Sequence, residues 1–469
     1  MRPGLVISAI ALALVASSAS AQAPRSLNPQ IKMFVNVNAP TVALTHARLV
    51  DGTGTPAKDD QTIVIDGERI AAVGKTGQLA IPAGALVLDR TGQTVIPGII
   101  GLHDHLYYQQ VMMYSYPKLF LAAGVTTIRT TGSRDSYQEL NLRRSVDAGE
   151  VVGPEVFPTG PYLQGEGQGV GWMHPLSGPA DARRMVQYWA EEGVPWFKAY
   201  NLITRAELGT AIEEAHQRGV KVTGHLCSVG FREAVELGID NLEHGLSTDA
   251  EFRPGKEPDV CPLGSGDTTY ANLDIKSPDV QRTITEMVRR NVALTSTLAV
   301  HELSTPTQVP KDQRVLEALA PVYAEQVKRF YDSAQYRNDS VPRVAFKKAM
   351  EFEREFVRAG GLLGAGSDPC CLSEIAGYGD QRNYELLVEA GFTSEQAIQI
   401  MSANGAKILG VADRVGTVVP GKQADLVVVR GDPVAHPADI RNVTTVFKKG
   451  LGYDPAKLAE AIKGLVGLR

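Results

Sequence analysis

The sequence predicts an α/β protein: a (β/α)8 TIM barrel carrying a small β-sandwich domain built from both chain ends. Three observations predict it. The middle of the chain alternates eight strand-like segments with helical patterns, as α/β barrels do. Both ends carry short alternating strands separated by turn residues. Ionisable side chains recur where the middle strands end.

The elements run in order. Residues 1–21 read as a bacterial-type signal peptide, with Arg2, the apolar run Leu5 to Ala16 and the small-residue site Ala19-Ser20-Ala21 before Gln22. About 12 apolar residues are too few to span a bilayer, which takes roughly 20. The expected compartment is periplasmic or secreted, with no stable membrane span after cleavage. Residues 22–96 form the N-terminal part of the sandwich. Val42-Ala43-Leu44, Thr62-Ile63-Val64-Ile65 and Leu86-Val87-Leu88 alternate, and Asp51-Gly52 and Asp66-Gly67 supply turns. Residues 410–469 have the same texture in Leu426-Val427-Val428-Val429 and Val443 to Phe447, with a terminal helix. That leaves 97–409 as the barrel. Its strand candidates are 97–102, 125–130, 156–159, 196–200, 221–225, 240–244, 293–298 and 362–367. Arg205–Arg218 and Ser394–Lys407 are examples of the helices, and 246–280 and 300–345 are long loops of the kind that shape binding sites. A doubly wound sheet is the structural alternative.

Composition narrows the function. With 469 residues, 43% apolar and 21% charged, the chain can bury a large core; collagen, a coiled coil and a disulfide knot are excluded. The net charge of −5, from 47 basic and 52 acidic residues without a long basic run, gives no footprint for nucleic acid. A small-molecule substrate is the expected partner, and a homo-oligomer is open. The four cysteines fit no zinc-knuckle or C-x-x-C spacing. One bridge from Cys261 to Cys370 or Cys371 is expected, with four buried thiols as the alternative.

The chemistry-bearing residues share one end of the strands. His103 and His105 follow the apolar run Val95 to Leu102; at i, i+2 on a strand both imidazoles point the same way and can reach one metal. Lys198 lies in Val194-Pro195-Trp196-Phe197-Lys198-Ala199-Tyr200, a strand too apolar to welcome a cation. His225, His244 and Asp368 each close a strand. Barrel enzymes carry their chemistry on that face. Tyr200 shares the side of Lys198, and Tyr162, His174 and His301 are further candidates for holding a substrate; each also reads as a packed or solvated loop residue. Tyr107 and Tyr108 are candidates for lining the pocket. No G-x-S-x-G elbow is present, and the Gly-rich stretch 165–171 lacks the G-x-G-x-x-G spacing.

On these residues the sequence resembles the amidohydrolase superfamily, in its imidazolonepropionase-like and prolidase-like branch. The resemblance rests on Pro97-Gly98-Ile99-Ile100-Gly101-Leu102-His103-Asp104-His105, on Gly379-Asp380-Gln381, on Asn404-Gly405-Ala406 and on Pro420-Gly421-Lys422-Gln423-Ala424-Asp425-Leu426. It implies metal ligands at His103, His105, Lys198, His225, His244 and Asp368. It also implies two divalent ions, zinc by donor type, joined by a CO2-derived carbamate on Lys198. A lysine paired with an acid beside one metal is the alternative. The implied reaction is cleavage of a peptide-like or N-acyl amino acid amide bond by a metal-bridging hydroxide, with Asp368 as general base and acid. A lactone, cyclic-amide or carbamate hydrolase would use the same site. A mononuclear deaminase usually shows H-x-x-E here, whereas His225-Leu226-Cys227-Ser228 ends in Ser228. A non-catalytic binding barrel is the remaining class.

Overall fold

The computed structural model describes residues 24–106, 113–167, 171–305, 309–334, 338–370 and 373–468. The expected signal peptide, Tyr107, Tyr108 and Cys371 lie outside the described residues.

The first strands are β1 (Val35–Val37), β2 (Thr41–Leu49), β3 (Lys58–Asp66), β4 (Arg69–Lys75), β5 (Leu86–Asp89) and β6 (Gln93–Pro97). The last are β15 (Leu426–Arg430), β16 (Val443–Lys448) and β17 (Leu451–Tyr453). They form one nine-stranded sheet of order β1-β17-β16-β15-β6-β2-β3-β4, with β5 on β2. The chain ends meet where β6 pairs antiparallel with β15, Val95 opposite Val428. Both chain ends thus build one hydrogen-bonded sheet. Side chains alternate across it with period two. Leu44, Ile63, Val95, Leu426, Val428 and Phe447 pack together in one cluster. Ile96, Val427, Val429 and Val446 turn the other way, into the main core.

All eight expected middle strands are present: β7 (Ile99–Asp104), β8 (Val125–Thr130), β9 (Glu155–Phe157), β10 (Trp196–Ala199), β11 (Lys221–Gly224), β12 (Asn241–Glu243), β13 (Ala293–Ser296) and β14 (Leu363–Ala365). Pairing is parallel throughout, in a sheet β7-β8-β9 and a sheet β10-β11-β12-β13-β14. Backbone contacts join their margins. Thr159 bridges to Trp196, and Gly160 N–H donates to the Trp196 carbonyl at 2.9 Å. On the other side Asp368 N–H donates to the His103 carbonyl at 2.8 Å. That approach requires Gly366, where a Cβ would stand 2.2 Å from the His103 nitrogen. Helices lie between the strands and bury apolar faces against them, with Phe120, Phe231, Phe352 and Phe356 fully enclosed.

The helical expectation over Arg205–Arg218 matches Arg205–Gln217, which opens with a capping box of Thr204 and Glu207. Ser394–Lys407 is instead three pieces, with a π-helical turn over Ile400–Asn404. The two long loops also differ from expectation. They contain the helices Asp267–Ala271, Gln313–Ala318 and Pro321–Ser333; the helix Leu298–Glu302 runs into the second, and Ser340–Arg358 begins inside it. Val327, Phe330 and Tyr331 are buried at helical spacing, which is why that stretch folds.

Candidate metal centre

Each candidate side chain leaves the C-terminal end of a parallel strand. His103 and His105 close β7, and Lys198 lies on β10 beside Thr223 of β11. His225 follows β11, with its N–H bonded to the Ala199 carbonyl at 3.0 Å. His244 follows β12, bonded to the Thr295 carbonyl at 3.0 Å. Asp368 lies beyond β14. His244 and Asp368 both hold left-handed backbone conformations, with φ of 66° and 51°. Such strain in non-glycine residues persists where the surroundings enforce it, commonly at functional sites.

The side chains converge. Ligand atoms of His103, His105 and Asp368 all lie within 4.8 Å of one another. Asp368 Oδ1 is 3.0 Å from His105 Nε2 and 3.8 Å from His103 Nε2, and its Oδ2 is 3.9 Å from His244 Nε2. Lys198 Nζ is 3.0 Å from His103 Nε2. The His244 ring stands 4.4 Å from those of both His103 and His225. Tyr200 stacks 4.8 Å from His225, and Tyr162 lies 5.2 Å from Tyr200. His301 reaches the opposite flank, 5.2 Å from His244. His174 does not join them. It is 58% exposed and pairs with Asp181 at 3.1 Å, so it faces solvent.

The imidazoles are held neutral and oriented. Burial, with help from the Lys198 charge, pushes His225 down to about 3 and lowers His103 well below its ordinary range. Burial likewise lowers His105 and His244, and brings His301 to about 4. Burial lowers Lys198 to about 8 despite Asp368 and Glu243 nearby. Burial alone would raise Asp368; His103, His105 and Lys198 outweigh it and hold the carboxylate well below its usual range. His103 Nδ1 meets Glu243 Oε2 at 2.8 Å, and His244 Nδ1 meets the Thr297 hydroxyl at 2.7 Å. Each ring therefore turns Nε2 toward the cluster. The His244 Nε2 is buried with no hydrogen-bond partner among the described residues. Neutral rings anchored through one nitrogen present a lone pair on the other, the arrangement a divalent cation needs.

Sequence reasoning missed the anchors. Glu243 also accepts from Arg129 at 2.5 Å, from Asn241 at 2.8 Å and from Thr223. Arg129 is fully buried, donates to the Leu102 carbonyl at 2.8 Å and lies over the Trp196 ring. The signal was available: an arginine inside Val125-Thr126-Thr127-Ile128-Arg129-Thr130 is as anomalous as Lys198 in its strand. The cysteine expectation is corrected. Cys261 bonds Cys227, not Cys370 or Cys371, with Cα atoms 4.9 Å apart. The loop after His225 is thereby tied to the stretch that precedes Asp267. Sequence spacing could not reveal that these two loops are neighbours above β11 and β12.

The family model for the amidohydrolase family matches residues 94–451. The chain belongs to the amidohydrolase family. An imidazolonepropionase of Streptomyces griseus subsp. griseus is 41% identical over 134 residues, covering 25% of this chain and 34% of that protein. Adenine deaminase 2 of Bradyrhizobium sp. is 32% identical over 91 residues, 19% of this chain and 15% of that protein. The chain thus spans a minor part of the curated relatives it matches. Solved structures align far more widely. One of a putative prolidase from Bifidobacterium longum matches with TM-score 0.67 and 26% identity, covering 90% of this chain and 98% of that one. A bottromycin amidohydrolase matches at 0.69 and 18% identity, over 93% and 94%, a likeness of fold.

Proposed function

We propose that the protein is an exported, binuclear metal-dependent amidohydrolase that cleaves a peptide-like or N-acyl amino acid amide bond. The carrying observation is the convergence of His103, His105 and Asp368 within 4.8 Å, with Lys198 Nζ 3.0 Å from His103. Residues for the pair are His103, His105, Lys198, His225, His244 and Asp368, with zinc the ion that best suits the donors. The family membership and the prolidase likeness support amide chemistry. The contacts joining β9 to β10 and β14 to β7 support closure of the eight strands into a (β/α)8 barrel. The Cys227–Cys261 bridge supports export to an oxidising compartment.

When bound, a pair of divalent ions supplies an activated water and polarises the scissile carbonyl. The residues do the rest. Lys198, with its amine lowered to about 8, has a neutral fraction that adds to CO2: an N–C bond forms, one proton leaves, and an anionic oxygen donor replaces the cation. Asp368 takes up a proton at its carboxylate and returns it to the departing amine nitrogen. Glu243 and Thr297 keep the His103 and His244 rings from rotating. Tyr200 and Tyr162 flank His225 and Lys198, where a substrate carbonyl would lie.

A lactone, cyclic-amide or carbamate hydrolase is a second reading of the same site. Deamination is disfavoured by Ser228, whose hydroxyl donates to the Ile203 carbonyl at 2.6 Å and stands where a deaminase would carry its acid. The test is a panel of dipeptides, N-acyl amino acids, lactones and aminopurines offered to zinc-supplied protein. Turnover of amides is expected; turnover confined to lactones or aminopurines would overturn the reading.

A further inference from the structure

Next to His301, whose ring lies 5.2 Å from that of His244, is a cavity of about 230 Å³ between the loops after β12 and β13 and the helix Ser340–Arg358. It is smaller than the sites that enclose whole small molecules, so it suits one substituent of a substrate. Leu246, Phe346 and Ala349 form apolar wall. Ser304 and Asp267 add polar groups at its edge. Asp267 Oδ2 accepts from Ser265 at 2.9 Å, and no lysine or arginine forms an ion pair with it among the described residues. Arg253, on the same stretch, spends its guanidinium on the carbonyls of Pro262, Leu263 and Gly264. The cavity therefore sets an apolar wall beside a carboxylate that no cation pairs with among the described residues. His301 lines the cavity, and its Nε2 is buried without a hydrogen-bond partner among the described residues.

We propose that this cavity is the specificity pocket of the enzyme, and that Asp267 selects a substrate substituent with an apolar stem and a cationic end, as in a lysine-like side chain. The assignment rests on the hydrolase reading for its place in a reaction, but not for the binding itself. An aliphatic stem covers the Leu246, Phe346 and Ala349 surface while its ammonium reaches the half-exposed Asp267. A half-exposed pair of this kind is worth on the order of 1 kcal/mol, about fivefold in affinity.

The test compares Nα-acetyl-lysine amide with Nα-acetyl-norleucine amide, which differ in the cationic end. Binding is measured by calorimetry on the wild type, Asp267→Asn and Asp267→Glu, and hydrolysis is followed separately. The wild type should bind the lysine compound about fivefold more tightly. Asp267→Asn should abolish the difference while leaving norleucine binding unchanged, and Asp267→Glu should restore it. Equal binding by the wild type, or a lysine preference that survives in Asp267→Asn, overturns the pocket. Discrimination that depends on Asp267 without turnover of any amide would uphold the pocket and overturn the hydrolase reading instead.

Discussion

At the scale of single residues the account turns on protonation and lone pairs. Asp368 is held as a carboxylate by His103, His105 and Lys198, so it is ready to accept a proton. Asp368→Asn should keep the fold and most of the metal but lose roughly 10²–10⁴-fold in kcat, the usual worth of a placed acid–base group; full activity in the variant would refute the role. Lys198→Ala should lose one or both metals, and short carboxylic acids should restore part of the content and rate. Unchanged metal content would refute the bridging carbamate. The convergence of these side chains was legible because a histidine, lysine or aspartate at a strand end is a local anomaly. Glu243 and Thr297 were not. Glu243 stands beside His244 in sequence yet serves His103 on another strand, a relation that exists only once β7 and β12 share one space. His174 failed for the converse reason: its loop context resembled a binding loop, but Asp181 captures it at the surface.

At the scale of elements, burial rather than pattern decided the surprises. Among its described residues the stretch 300–345 holds no strand, yet Val327, Phe330 and Tyr331 bury a helical face there. The Cys227–Cys261 bridge closes a separation of 34 residues. Cys261→Ser should cost about 2–4 kcal/mol of stability, read as a lower denaturation midpoint in the absence of reductant; an unchanged midpoint would show that the loops hold without it. Glu353, on the helix Ser340–Arg358, accepts from Ser296 at 2.9 Å, and burial raises it from 4.5 to about 8. A carboxyl raised on folding contributes stability that is present below about pH 4.5 and is lost as pH rises through about 8. The wild-type Tm should therefore fall between pH 5 and pH 8.5 more steeply than that of Glu353→Gln. Parallel pH dependences would contradict that assignment.

At the scale of the molecule, the parallel strands, their order and the joining of both chain ends were legible, since each rests on periodicity that every segment carries for itself. The layering of the end domain was not. Alternation states that a strand has two faces, and cannot state whether the apolar face meets a second sheet or folds against its own. Nor could it show that Asp267, 23 residues beyond His244, lines the same cavity as His301.

The central claim is a two-metal site, and the most direct measurement is metal content per chain by elemental mass spectrometry on protein expressed with zinc. About two divalent ions per chain are expected, falling in Lys198→Ala. One ion per chain in the wild type, with Lys198→Ala unchanged, would make the centre mononuclear and contradict the account.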